Sequence, residues 1–243
     1  FSKKIENNLI NNQIDIAVHA LKDMPSEEPE DLITNCFLER NDPREVLISK
    51  NNNQIKNLKK NSIIGTSSLR REYQLKRIRN DLKYKLIRGN VDTRINKLND
   101  DLYDAIILSY AGLKSLNIDE QISQIFSTQE IIPSVGQGVV ALQCRKNDKH
   151  TLELLSKINH KKTSICVNAE RYLLKVLEGD CETAVGAFAY VENDVINLNA
   201  ELFSIDGKQR FYHHSKKDIM LSKELGLEVG GILKKVSKDS YKR

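Results

Sequence analysis

Short apolar runs that favour β-structure alternate with segments of helical pattern, and this alternation constrains the fold more than any other feature of the chain. The runs lie at residues 14–18, 46–48, 63–64, 84–87 and 105–108. Stretches long enough for a helix separate several of them. Such alternation is typical of α/β layers with largely parallel sheets, which bind ligands outside the carboxyl ends of their strands. The sequence therefore predicts an α/β fold with a ligand site at strand ends.

Proline and glycine residues indicate how the chain is divided. Pro133, Gly136 and Gly138 interrupt it between two apolar runs, which indicates a hinge or a crossover. A helical pattern begins at Thr163, and a later Asp-Gly dipeptide at 206–207 is a signal for a hairpin turn. The C-terminal residues return to a helical pattern. We therefore expect three domains, the third a small α+β unit.

The composition is that of a folded chain. Apolar residues make up 40% of the 243 positions, and no apolar stretch approaches the roughly 20 residues of a membrane helix. Residues 1–6 do not resemble a signal peptide, so we expect a cytoplasmic protein that contacts no membrane. The net charge of +5 follows from a lysine-rich composition and predicts no nucleic-acid partner. Because Phe1 already lies in an amphipathic helical pattern, we also expect sequence upstream of it.

The cysteines and histidines predict no metal site. Cys36, Cys144, Cys166 and Cys181 are widely spaced and form no C-x-x-C pair. The histidine spacings match no set of metal ligands either. Cys144 and Cys166 lie in apolar or helical stretches, so we expect both to be buried small hydrophobic residues.

Two arginine-containing segments, 65–71 and 88–94, each follow an apolar run and open into a helical pattern. Ser67 and Ser68 could cap the first helix and share its N-terminal N–H groups with an anion. Arginine binds carboxylates through two parallel hydrogen bonds, which lysine cannot do. The segments therefore predict an anion site in one crevice. For the first segment alone, the alternative is a capped helix with a solvated arginine pair.

The segment 19–25 follows the first apolar run. Lys22 and Asp23 would place a base and an acid at the mouth of a cleft. An ordinary surface turn is the alternative. We expect His19 to be a hydrogen-bonded structural residue.

Cys181 follows Gly179 and Asp180 at the end of a helical pattern, so we expect it on an accessible loop. Neighbouring acids would raise the pKa of its thiol, which argues against a freely reactive thiolate. A permanently derivatised thiol is compatible with that setting. An unremarkable loop cysteine is the alternative.

Together these segments resemble the porphobilinogen deaminase family, also called the hydroxymethylbilane synthases. The ordered matches lie at residues 15–19, 22–25, 39–44, 65–71, 88–94, 133–138 and 179–186. The resemblance implies two α/β domains like those of periplasmic binding proteins around a cleft, plus a small C-terminal α+β domain. The implied domains are 1–38 with 139–158, then 39–138, then 159–243. The first domain would lack an N-terminal segment that the family has.

The resemblance also implies an activity. Members of the family are transferases that join four porphobilinogen molecules head to tail into the linear tetrapyrrole hydroxymethylbilane and release ammonia at each addition. The chain grows on a dipyrromethane cofactor, which a thioether joins to a cysteine that matches Cys181. Asp23 matches the catalytic aspartate, and Lys22 lies beside it. We expect a monomer that acts on porphobilinogen.

The remaining site residues are implied by matching positions. Those expected at the cofactor, besides Cys181, are Lys22, Asp23, Ser68, Arg70, Arg71, Arg88 and Arg94. Those expected at the substrate are Thr66, Ser67, Arg70, Arg88, Gly89, Asn90 and Arg94. Each pyrrole carries an acetate and a propionate, so the arginines would bind a polycarboxylate.

Some positions depart from the family pattern. Ser115 stands where many members have an arginine. Asp180 and Ala184 stand where the family usually has a small residue and a proline near the cofactor cysteine. Two other hypotheses stay open: a non-catalytic, hinged carboxylate-binding module, and an inactive truncated remnant of the enzyme.

Overall fold

The structure is a computed structural model that describes residues 2–180 and 182–242. In chain order its helices and strands are α1 (Ser2–Ile10), β1 (Ala17–Ala20), β2 (Leu32–Phe37), β3 (Glu45–Ser49), β4 (Ile63–Gly65), α2 (Leu69–Ile78), β5 (Lys83–Lys85), α3 (Val91–Asn99), β6 (Ala105–Ser109), α4 (Tyr110–Ser115), β7 (Gln124–Ile125), β8 (Val140–Arg145), α5 (Lys149–Ile158), α6 (Lys161–Leu177), β9 (Val185–Glu192), β10 (Val195–Phe203), β11 (Arg210–Asp218) and α7 (Ser222–Ser237). The predicted mixture of α/β layers and a C-terminal α+β unit is confirmed.

The first sheet has the order β1-β8-β2, and both of its strand pairs are antiparallel. Leu9 of helix α1 packs against Ala17 and Leu32, so the apolar face of this amphipathic helix covers the first sheet. His19 Nε2 lies 3.1 Å from Gln143 Oε1 on the neighbouring strand, as expected of a structural histidine. Cys144, on β8 of the same sheet, is fully buried, again as predicted.

The second sheet has the order β5-β4-β6-β3-β7. Strand β4 is parallel to β5 and β6, whereas β3 is antiparallel to β6 and β7. The prediction of largely parallel sheets is therefore wrong for the first sheet and for half of the second. Apolar runs reveal that a strand is buried on both faces, but they carry no information about its direction.

The third sheet is an antiparallel meander, β9-β10-β11, against which α6 and α7 pack. The turn at 206–207 joins β10 to β11, with Phe203 opposite Arg210, so the predicted hairpin is confirmed. Helices α6 and α7 approach closely at Gly226, where an added Cβ would lie 2.2 Å from the carbonyl oxygen of Ala169.

Two crossovers, residues 38–44 and 131–139, carry the chain from the first sheet to the second and back. They run side by side: the Asn41 N–H donates to the Gly138 carbonyl at 2.8 Å, and Gln137 Nε2 donates to the Pro43 carbonyl at 2.6 Å. The second crossover is the one that proline and glycine indicate in the sequence.

Glu170 on α6 joins both crossovers to the third sheet. It is fully buried, and its carboxylate accepts hydrogen bonds from both terminal nitrogens of Arg40 at 2.8 and 2.9 Å. It also accepts from the backbone N–H groups of Gly136 and Ala189, each at 2.8 Å. We call these four residues the Glu170 cluster. Because one carboxylate accepts hydrogen bonds from both crossovers and from the third sheet, the cluster fixes the relative positions of these three segments.

Gly138 tests the close packing of the crossovers. Its φ is +80°, and an added Cβ would lie 2.5 Å from the carbonyl oxygen of Asn41. We expect Gly138→Ala to lower the free energy of unfolding by about 1–3 kcal/mol. The control is Gly231→Ala in α7, where an added Cβ meets nothing within 4 Å. This substitution should leave the free energy of unfolding unchanged or raise it by up to about 1 kcal/mol. Urea unfolding of both variants checks this; equal effects would contradict it.

Among the described helices, none combines the length and apolar content needed to cross a bilayer.

Candidate functional site

A cavity of about 840 Å³ opens between the loop after β1, the start of α2, the second crossover and the α6–β9 connection. Its volume lies within the range of small-molecule sites, roughly 300–1,000 Å³. The predicted site residues that line it are Lys22, Asp23, Ser67, Ser68, Arg70, Arg71 and Arg94. Residues far apart in the sequence are thus brought to one cleft.

Asp23 ends a single 3-10 turn, Leu21–Asp23, that directly follows β1. Leu21 and Met24 are buried on either side of the turn, and this burial fixes its position. Asp23 itself is exposed to the cleft. Among the described residues no hydrogen-bond donor or ion-pair partner occupies its carboxylate. The turn was the alternative expected for this segment, and here the turn lines the cleft.

Lys22 reaches from the same turn to the second sheet, where its Nζ donates to Ser109 Oγ at 3.3 Å. Burial lowers the pKa of Lys22, and the positive charge of Arg71 lowers it further, while Asp23 and Glu45 oppose the change. Sequence reasoning missed Ser109, because a serine at the end of a strand carries no signal of a partner 87 positions away.

The first arginine segment forms the capped helix that the sequence predicts. Ser68 is the N-cap of α2, and its hydroxyl accepts from the Arg71 N–H at 3.4 Å. The Thr66 hydroxyl accepts from the Ser68 N–H at 3.2 Å and does not line the cavity. Ser67 is exposed at the cleft. The local geometry therefore orients the start of α2 towards the cleft.

Arg70 and Arg71 are not the solvated pair of the alternative reading, since they are 4% and 7% exposed. Arg70 Nη2 donates to Glu45 Oε1 at 2.6 Å, and Arg71 Nη2 lies 2.9 Å from Glu45 Oε2. Burial alone would raise the pKa of Glu45, but the two arginines lower it to about 2. Glu45 is a second residue that sequence reasoning missed. It precedes an apolar run and carries no mark of its arginine partners.

The second arginine segment also begins with a cap. The Asn90 side chain accepts from the Thr93 N–H at 3.0 Å, and Gly89 adopts a φ of +123°. Arg94 Nε donates to the Gly89 carbonyl at 2.8 Å and the side chain lines the cavity. Burial lowers the pKa of Arg94, and Arg71 adds to this effect. Arg88 is exposed, and neither it, Gly89 nor Asn90 lines the cavity.

Cys181 lies outside the described residues. Its neighbours Gly179, Asp180 and Thr183 line the cleft. The Asp180 carboxylate accepts from the N–H groups of Glu182 at 2.9 Å and Thr183 at 3.0 Å. Burial would raise the pKa of Asp180, but these hydrogen bonds lower it. The departure at Asp180 thus has a physical role, because its side chain binds the backbone N–H groups of residues 182 and 183.

Ser115, the other notable departure, is exposed on α4, where its hydroxyl donates to the Ala111 carbonyl of its own helix at 2.8 Å. It does not line the cavity.

Arg171 is a third residue that sequence reasoning did not place in the cleft. It follows Glu170 on α6, lines the cavity, and donates to the Pro25 carbonyl at 3.1 Å. It also lies 3.4 Å from Glu28 Oε1. Arg171 thereby contacts the loop that follows Asp23, and burial lowers its pKa.

The cleft fits a ligand with several carboxylates. Its lining carries six cationic side chains, Lys3, Lys22, Arg70, Arg71, Arg94 and Arg171, and five acidic ones, Glu6, Asp23, Glu27, Glu28 and Asp180. Among the described residues no hydrogen bond or ion pair engages the Asp23 carboxylate. The arginine side chains that line the cavity can donate to ligand carboxylates.

Comparison with known proteins identifies the family. The family model described as porphobilinogen deaminase, dipyromethane cofactor binding domain, matches residues 1–153, and that of the C-terminal domain matches residues 164–235. Porphobilinogen deaminase of Chlorobium phaeobacteroides is 42% identical over 90% of this chain and 70% of its own length. That of Brevibacillus brevis is 42% identical over 96% of this chain and 75% of its own length. A YaeC-family lipoprotein structure from Enterococcus faecalis is 13% identical over 70% of this chain and 78% of its own, with a TM-score of 0.44. The chain therefore belongs to the porphobilinogen deaminase family, transferases that assemble a linear tetrapyrrole from porphobilinogen on a dipyrromethane cofactor.

Proposed function

We propose that the cleft lined by Asp23, Lys22 and the arginines is where this chain condenses porphobilinogen into hydroxymethylbilane. The observation that carries the proposal is the Asp23 carboxylate. It is exposed to a cavity that six cationic side chains also line, and among the described residues no hydrogen bond or ion pair engages it. An acid placed this way is free to act on a bound ligand.

The lining residues suit the dipyrromethane cofactor, which carries an acetate and a propionate on each ring. Arg70, Arg71 and Arg94 line the cavity, and guanidinium groups are good partners for carboxylates. We assign Cys181 as the cofactor's attachment point, because residues on both sides of it line the same cavity. When bound, the cofactor supplies the pyrrole carbon to which the first substrate is added. The side chains proposed to bind it are Lys22, Asp23, Ser68, Arg70, Arg71, Arg88 and Arg94.

Asp23 acts as the catalytic residue in this proposal. A positive charge develops on the substrate as ammonia leaves, and a nearby carboxylate stabilises that charge. The same carboxylate accepts a hydrogen bond from a pyrrole N–H, which orients the ring. Lys22, the neighbouring residue, donates to a ligand carboxylate while it is protonated.

Substrate binding uses the two helix starts. The N-terminal N–H groups of α2 and α3 and the adjacent guanidinium groups favour carboxylates. We propose as substrate-binding residues Thr66, Ser67, Arg70, Arg88, Gly89, Asn90 and Arg94. Those that do not line the cavity, such as Arg88, would contact ligand only as the pyrrole chain lengthens.

We further propose the domain boundaries 1–38 with 139–158, 39–138, and 159–243. Each of the three sheets falls within one of these ranges, which supports the division. We propose a cytoplasmic monomer that binds neither nucleic acid nor membrane. The described cysteines Cys36, Cys144 and Cys166 are free and buried, which suits a reducing compartment.

The experiment is to incubate the purified chain with porphobilinogen and to follow ammonia release and tetrapyrrole formation together. We expect both, in a fixed ratio of one ammonia for each pyrrole joined. Binding of porphobilinogen without ammonia release would favour the non-catalytic carboxylate-binding module, and absence of both would favour the inactive remnant.

A further inference from the structure

The cleft contains a buried charge arrangement that substrate binding alone does not explain. Glu45 begins β3, is fully buried, and forms ion pairs with both arginines at the start of α2. Arg70 also donates to the Ile132 carbonyl at 2.8 Å, so it is tied to the second crossover as well. A buried carboxylate shared by two adjacent guanidinium groups offsets their mutual repulsion and fixes their direction.

The same carboxylate lies close to Lys22 along the sheet. Glu45 is directly opposite Ser109 in the β3–β6 pairing, and Ser109 is the residue to which Lys22 donates. The charged groups around Lys22 are therefore Asp23 on its own turn, Glu45 on β3, and the arginine pair of α2. Glu45 and Asp23 favour the protonated form of Lys22, and the arginines disfavour it.

We propose that Glu45 is a positioning residue for ligand carboxylates: it orients Arg70 and Arg71 at the cleft and places its negative charge opposite Ser109, the residue that holds Lys22. Glu45 contacts terminal nitrogens of both arginines, and both arginine side chains also line the cleft. This inference rests on the proposed function of the cleft.

The first measurement needs no ligand. The side-chain carbon signals of Lys22 are followed by NMR against pH in the wild type, Glu45→Gln, Glu45→Asp and Glu201→Gln. Glu201→Gln is the matched control, because it removes another buried carboxylate that two arginines share, Arg77 and Arg210, and that does not line the cavity. We expect the Lys22 midpoint to move to lower pH in Glu45→Gln, to stay near the wild type in Glu45→Asp, and to be unchanged in Glu201→Gln.

The second measurement is calorimetric binding of a porphobilinogen analogue that lacks the aminomethyl group and so cannot react. It keeps both carboxylates. We expect Glu45→Gln to bind it about tenfold to a hundredfold more weakly than the wild type. Without the Glu45 carboxylate, Arg70 and Arg71 would no longer direct their hydrogen bonds at the carboxylates of the analogue. Glu201→Gln should bind it like the wild type, because Glu201 does not line the cavity.

An unchanged Lys22 midpoint with unchanged affinity in Glu45→Gln would overturn the proposal, as would equal losses of affinity in Glu45→Gln and Glu201→Gln. If the wild type does not bind the analogue, the proposed function fails, while the Lys22 titration still decides the role of Glu45. If Glu45→Gln does not fold, Glu45→Asp tests the proposal instead. Because aspartate keeps the negative charge, the Lys22 midpoint should stay near that of the wild type, and because its side chain is shorter, the analogue should bind more weakly. A displaced midpoint with wild-type affinity would contradict both expectations.

Discussion

Asp23→Asn is expected to lower kcat by about a hundredfold to ten-thousandfold, with a much smaller change in the dissociation constant for porphobilinogen. General acid–base and electrostatic assistance of this kind contributes that much to catalysis. The amide keeps the size of the side chain and one acceptor oxygen but loses the negative charge. Because Asp23 is exposed to the cleft, we expect the free energy of unfolding to stay within about 0.5 kcal/mol of the wild type.

The measurement is the steady-state rate of ammonia release, paired with substrate binding under single-turnover conditions. Glu27→Gln is the matched control: Glu27 is another exposed acid that lines the same cavity a few residues further on. Its kcat should stay within about twofold of the wild type. A near-normal kcat in Asp23→Asn would remove Asp23 from catalysis, and a loss of similar size in Glu27→Gln would mean that only the total charge of the cleft matters.

Glu170→Gln is expected to cost about 3–5 kcal/mol of unfolding free energy, the largest stability effect that the structure suggests. Breaking a buried ion pair leaves the other charge without a partner, and Arg40 and Glu170 have side chains only 12% and 1% exposed. The amide oxygen can still accept from some of the four donors, which are two Arg40 nitrogens and the N–H groups of Gly136 and Ala189. The amide NH2 group, however, faces the remaining donors and cannot accept from them. The two crossovers are then no longer joined through one carboxylate.

Urea unfolding measures this effect through the transition midpoint at an unchanged slope. The control is Glu153→Gln, which breaks an exposed ion pair with Lys157 at 3.0 Å, both side chains being more than half exposed. It should change stability by less than about 0.5 kcal/mol. A cost below about 1 kcal/mol for Glu170→Gln would show that the cluster does not join the two crossovers to the third sheet as described.

Signals confined to a few neighbouring residues predicted much of this fold. Ser68, one of the two predicted caps, forms the N-terminal cap of the helix that follows. The dipeptide at 206–207 forms the hairpin, and the last apolar periodicity becomes α7. In each case one or two side chains and their own backbone decide the geometry, so the sequence contains the whole cause.

Features that depend on distant partners were missed or mistaken. The first sheet is antiparallel because β8 returns from the second sheet and inserts between β1 and β2, and no local pattern encodes the position or direction of the returning strand. The burial of Arg70 depends on Glu45, 25 positions earlier, and the environment of Lys22 depends on Ser109. The sequence could predict that arginines gather at an anion site, but not which carboxylate of the protein already occupies them.

The most direct test of the central claim is the intact mass of the protein after folding in the presence of porphobilinogen. The account predicts that the wild type gains the mass of two pyrrole units, that a tryptic map places the addition on Cys181, and that Cys181→Ala gains nothing. It also predicts that Asp23→Asn acquires the two-unit addition, although slowly, and accumulates few further units. An unmodified wild-type mass, or an addition that survives in Cys181→Ala, would contradict the account.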